Sequence, residues 1–141
     1  MEIPVPVDAE LVLSEAVEAI LARPTFAGKL VPVRQAVPNP RPTDEQFVLL
    51  IRTGGVMRDR VTDTPTLVVE GYAKSKLRAW QLCAWSVAIL RSLEGQSAAG
   101  HPVYTVSEFA GPGNLPDPLT GLARYTATVS VAIRTEQVAT I

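Results

Sequence analysis

"RYTATVSVAIR", residues 124–134, decides the fold. Tyr125, Ala127, Val129, Val131 and Ile133 alternate with Arg124, Thr126, Thr128, Ser130 and Arg134. A period of two predicts a strand with one buried and one polar face. Just upstream, "HPVYTVSEF" (101–109) reads as a further strand. Before that, "SKLRAWQLCAWSVAILRSLE" (75–94) reads as the longest helix, with Ser75 as its cap and Gly95 as its stop. Its apolar residues form two stripes, one of Leu77, Trp80, Ala84, Val87 and Leu90, the other of Leu82, Trp85, Ile89 and Leu93. Such a helix needs cover on two sides, from the sheet and from either the first helix or a neighbouring subunit.

Further towards the N-terminus, "QFVLLIRT" (46–53) and "TLVVEGYA" (66–73) are rich in β-branched and aromatic residues and read as strands. The glycine-containing stretch between them, "GGVMRDRVTDTP" (54–65), reads as a hairpin connection with a mobile tip. "GKLVPVRQ" (28–35) reads as a short strand that Pro32 assigns to a sheet edge, and "NPRPTDEQ" (39–46) as loop. Asp8 caps a first helix running to about Arg23. On it, Leu11, Leu13, Ala16, Val17, Ile20 and Leu21 make the apolar face, with Glu10, Glu15 and Glu18 outside. The order is α-β-β-β-α-β-β, an α+β domain with a mostly antiparallel sheet and both helices packed on one face. The 141 residues form one domain, 1–141, with flexible ends at about 1–6 and 136–141.

Composition narrows the function. The formal net charge is −1, which gives no global field for nucleic acid or an anionic membrane. The one cysteine, Cys83, excludes an internal disulfide and a multi-cysteine zinc cluster. The start, "MEIPVPVDAE", does not read as a secretory signal, and "AWQLCAWSVAIL" (79–90) is too short to span a bilayer. Charge is uneven along the chain. Glu2, Asp8, Glu10, Glu15 and Glu18 precede any cation, whereas Lys74, Lys76 and Arg78 cluster without an acid at a helix N-terminus, where the helix dipole opposes them.

No catalytic constellation emerges. His101 is the one histidine and has no serine elbow or partner motif, and Cys83 lies within an apolar helix as a small hydrophobe. Asp59 and Asp63 read as turn chemistry rather than metal ligands. "FAGKL" (26–30) fails as a P-loop because Arg23 stands where its first glycine belongs and Leu30 replaces Ser or Thr. In "FAGPGNLPDPLTGLARY" (109–125), Gly111 and Gly113 begin a dinucleotide-like pattern, but Pro116 holds the third glycine position and a strand follows. No cofactor or metal is expected. Pro112, Pro116 and Pro118 restrict that segment and mark it as a contact element, with Asp117 stabilising a turn that Gly121 closes. Trimming residues 112–120 is expected to leave a folded domain that no longer joins its partners.

The order of elements resembles the tail-terminator family of long-tailed bacteriophages, also called minor tail or head-to-tail joining proteins. The strings that carry the resemblance are "PRPTDEQFVLLIRTGG" (40–55), "TLVVEGYAKSKLRAWQL" (66–82) and "GPGNLPDPLTGLARYTATVSVAIR" (111–134). The resemblance implies a virion protein, assembled in the host cytoplasm, that forms a hexameric ring on the tail tube and stops its growth. It implies as partners further copies of the chain, the major tail tube protein and the head connector or stopper protein. DNA passes through the lumen without sequence-specific binding, and no membrane, cofactor or enzymatic activity is implied. The residues nominated for assembly are Arg52, Arg58, Arg60, Lys74, Lys76, Arg78, Pro112, Leu115, Pro116, Asp117, Pro118 and Arg124. In a head-to-tail ring, the acidic first helix of one copy is expected to face the basic helix start, or Arg52, Arg58 and Arg60, of the next. The alternatives are another neck ring protein of the stopper or head-completion type and, more remotely, a nucleic-acid-binding regulator or a small-molecule binder or enzyme using His101.

Overall fold

The computed structural model describes residues 1–37 and 46–140. Its elements are β1 (Glu2–Val5), α1 (Ala9–Leu21), β2 (Val33–Arg34), β3 (Phe47–Met57), β4 (Thr62–Ala73), α2 (Lys76–Ser92), β5 (Ser97–Ala98), β6 (His101–Asn114), β7 (Ala123–Arg134) and β8 (Glu136–Ala139). Six strands form one sheet in the order β2-β3-β4-β7-β6-β5. Every pairing in it is antiparallel except β2 with β3. The fold is α+β, as the alternation in residues 124–134 predicts.

Both helices lie on one face of the sheet and share its main core. Ala127, Val129, Val131 and Ile133 of β7 and Leu67 and Val69 of β4 point into that core, where they meet Leu13, Val17 and Leu21 of α1 and Leu82, Ile89 and Leu90 of α2. The caps are the expected ones: Asp8 accepts from the Leu11 amide and Ser75 from the Arg78 amide. Gly71 sets how closely α2 approaches β4. A Cβ there would stand 2.5 Å from the Ala79 carbonyl oxygen and 2.7 Å from the Cys83 amide nitrogen. The opposite face carries a small second cluster of Phe47, Leu49, Tyr72 and Leu122, in which Phe47 and Tyr72 stack at 4.4 Å.

Several elements differ from expectation. The β3–β4 connection is not a long mobile tip: β3 runs to Met57, β4 begins at Thr62, and residues 58–61 make the turn. Two devices allow this, an irregularity in pairing between Arg52 and Gly54 and a positive φ of 91° at Gly55. Asp59 does perform turn chemistry, accepting from the amides of Val61 and Thr62, but Asp63 is a buried ion-pair partner instead. β6 extends to Asn114, so Pro112 and Gly113 belong to a strand and not to a loop. The chain ends, β1 and β8, pair antiparallel as a separate ribbon that the sequence did not reveal. A lone two-stranded ribbon is marginal; here the Arg60 carbonyl fastens it by accepting from the Thr135 hydroxyl at 2.8 Å and the Gln137 amide at 3.2 Å. Pro32 does mark an edge, since β2 is the outermost strand. Most of the expected loop "NPRPTDEQ" lies outside the described residues.

The open edges of the sheet are capped by carboxylates. Glu18 accepts from the Val33 amide at 2.9 Å, Glu10 from the Arg52 amide at 2.7 Å, and Glu94 from the Val106 amide at 2.9 Å. Each satisfies an edge donor that would otherwise be open to strand addition. Glu10 and Glu18 are therefore not simply solvent-facing, and Leu11, expected on the apolar face, is 46% exposed.

Candidate assembly interface

The nominated residues fall into two groups once the sheet register is in place. Tyr72 pairs with Arg124, Ala73 with Ala123, and Asn114 with Tyr125. Lys74, Lys76, Arg78, Arg124 and the segment from Leu115 to Leu122 therefore gather at one end of the sheet. Arg52, Arg58 and Arg60 lie towards the other end, where Met57 pairs with Asp63. From Asp63 to Tyr72 the strand covers roughly 30 Å at its ordinary rise per residue.

At the first end, residues 115–122 close an ordered hairpin. The Leu115 amide donates to the Arg124 carbonyl at 2.8 Å, and the Asp117 amide donates to the Leu122 carbonyl at 3.1 Å. The Gly121 amide donates to the Asp117 carbonyl at 3.0 Å, with Gly121 at φ +73°. The buried Asp117 carboxylate accepts from the Leu119 amide at 3.2 Å and the Thr120 hydroxyl at 2.8 Å. Asp117 and Gly121 thus act as expected. Arg124 clamps the hairpin to the sheet: its Nε donates to the Leu115 carbonyl at 2.7 Å and its guanidinium lies 5.7 Å from the centre of the Tyr72 ring. Tyr72 in turn donates its hydroxyl to Glu70 at 3.0 Å, and burial raises its pKa.

This internal wiring leaves the apolar tip in solvent. Leu115 is 49% and Leu119 77% exposed, with Pro116 and Pro118 exposed beside them. Leu119 is not among the residues expected from sequence; the signal was a large aliphatic residue directly after Pro116 and Pro118 in a turn, where a solvated loop would carry a polar one. Pro112 is half-buried and helps line a cavity of about 220 Å³ between β6 and α2.

Beside the hairpin, Lys29, Arg34, Lys74 and Arg78 line a cleft of about 640 Å³ at the start of α2. Arg78 stacks over Trp85 at 5.5 Å, while Lys76 is exposed. At the far end the three arginines have different roles. Arg52 is internal: its guanidinium donates to both Asp63 carboxylate oxygens at 2.6 and 3.0 Å and to the Gly54 carbonyl at 3.0 Å. Arg58 is largely exposed, 3.8 Å from Asp59, and Arg60 donates to the Glu2 carbonyl at 3.4 Å.

The two residues weighed for chemistry, His101 and Cys83, have the following surroundings. His101 lies 3.9 Å from the Glu136 carboxylate. Burial pushes the Cys83 thiol up to about 12, so the thiolate that reactivity needs is suppressed. Among the described residues no group of three or more His, Cys, Asp or Glu is placed to hold a metal, and no helix is long and apolar enough to cross a membrane. Compared with known proteins, the chain matches no family model and no curated protein.

Proposed function

We propose that the chain is a structural virion protein of the tail-terminator type. It forms a ring, hexameric in the resembling family, that caps the phage tail tube, ends its polymerisation and joins the tail to the head connector. The observation that carries this reading is the hairpin at 115–122. The amides of Leu115, Asp117, Leu119, Gly121 and Leu122 and the Asp117 carboxylate are all bonded within it, while Leu115 and Leu119 are exposed. An ordered apolar tip loses little entropy on docking, which suits a contact element better than a connector. Lys74, Lys76 and Arg78 at the same end supply charge for an acidic partner rim. The Arg58–Arg60 turn presents a second, separate surface, as a subunit with different neighbours at its two ends requires.

The test is electron microscopy of tails assembled with and without the protein. Tubes are expected to have a fixed length in its presence and to overgrow in its absence. Tube length that stays fixed without the protein refutes the reading.

A further inference from the structure

The hairpin tip is held from the face of the sheet opposite the helices. Tyr72 and Arg124 stand directly opposite each other across β4 and β7, and Glu70 lies two residues before Tyr72, so all three side chains share that face. Leu115, one of the two exposed leucines, is gripped by Arg124 at both of its backbone groups. Its amide donates to the Arg124 carbonyl at 2.8 Å, and its carbonyl accepts from Arg124 Nε at 2.7 Å. Behind this contact, Arg124 Nη1 donates to the Tyr72 hydroxyl at 3.4 Å, and that hydroxyl donates to Glu70 Oε1 at 3.0 Å. Glu70 Oε2 lies 4.0 Å from Arg124 Nε. Tyr72 is fixed by its stack on Phe47, and Leu122, at the other root of the hairpin, is buried in the same small cluster.

An arginine that contacts a partner presents its guanidinium outward, whereas the Arg124 side chain is 18% exposed and the Glu70 side chain 14%. We propose that Arg124, backed by Tyr72 and Glu70, is a positioning residue for the docking tip: it fixes where Leu115 and Leu119 point and makes no contact with the partner itself. The proposal rests on the docking role given to the tip above. It moves Arg124, expected from sequence at the interface, to the support behind it. The guanidinium suits the role because its donors diverge in fixed directions, so one rigid group bonds the Leu115 carbonyl and the Tyr72 hydroxyl together. Without it, the main-chain bond between Leu115 and Arg124 remains but the Leu115 carbonyl is released. The tip then keeps its root and loses its fixed direction.

The experiment is amide hydrogen exchange of the full chain, followed by NMR, with wild type, Arg124→Gln and Tyr72→Phe, beside a titration of tail assembly. In Arg124→Gln the amides of Leu115, Asp117, Leu119 and Gly121 should exchange on the order of tenfold faster relative to Val129 in the sheet core. Tyr72→Phe keeps the stack on Phe47 and removes the hydroxyl, so it should loosen the same amides by less. A tip that holds its docking arrangement in about a tenth of molecules requires about tenfold more protein for uniform tails, and an excess restores them. Hairpin amides that lose no more protection than Val129 in either variant overturn the proposal, because Arg124 then supports the fold as a whole. Hairpin amides that loosen while uniform tails still form at the wild-type concentration overturn it as well. A wild type that leaves tail length unlimited refutes the proposed function instead, and the exchange comparison still decides whether Arg124 holds the tip.

Discussion

Replacing Arg52 by methionine separates a structural arginine from an assembly one. The Asp63 side chain is fully buried, and both its oxygens take hydrogen bonds from the Arg52 guanidinium. Methionine keeps the apolar stem but leaves the carboxylate buried without its cation. Breaking a buried pair from one side costs about 3–5 kcal/mol, a large part of the roughly 5–15 kcal/mol that stabilises a domain. Removing both charges should cost much less, because no buried charge is then left uncompensated. Urea unfolding followed by circular dichroism measures this directly. Arg52→Met should lower the midpoint strongly, and Arg52→Met with Asp63→Leu should recover most of the loss. If Arg52→Met unfolds within about 1 kcal/mol of wild type, the range of an exposed pair, the structural assignment is wrong and Arg52 returns to the assembly surface.

Two further substitutions probe the core. Gly71→Ala places a methyl against the α2 backbone at Ala79 and Cys83 and should cost about 2–3 kcal/mol or more by overpacking, read as a lower urea midpoint; an unaffected midpoint contradicts the close approach of α2. Cys83 has a folded-state pKa of about 12 against a reference of 9.0, so between those values the unfolded chain releases a proton that the folded chain keeps. Stability should therefore fall as pH rises through that window, by about 1.4 kcal/mol per unit more than in Cys83→Ala; equal slopes would show that the thiol ionises as readily in the folded state.

The parts of the fold that were legible in sequence are those written locally. The alternation in residues 124–134 needs no partner to be read, and Asp8 and Ser75 announce their helices because a cap acts within three residues of itself. The turn chemistry of Asp117 and Gly121 was legible for the same reason. What escaped depends on distant pairing. β1 and β8 are weak strands that form only because the chain ends meet, with Glu2 opposite Ala139. Arg52 looked like a surface cation because its partner, Asp63, comes into reach only once the β3–β4 hairpin is in register. Glu10 and Glu18 looked solvated for a similar reason: the edge amides they cap belong to strands placed by tertiary packing. On α2, sequence gave the need for cover on two sides but not which residues stay uncovered. Leu82, Ile89 and Leu93 are buried while Leu77 and Trp80 are exposed.

The extent of β6 also changes how the hairpin should be tested. Deleting residues 112–120 would remove Pro112, Gly113 and Asn114 from a strand paired with β7, so a loss of function would not separate docking from folding. Leu115→Asp with Leu119→Asp alters only the exposed tip and leaves the hydrogen bonds of Asp117, Gly121 and Arg124 in place. The most direct measurement is the length distribution, by electron microscopy, of tails assembled with wild type and with this double variant, each first shown to be folded. The proposed role predicts uniform tails with wild type and overgrown tubes with the variant. Uniform tails from the folded variant would contradict it.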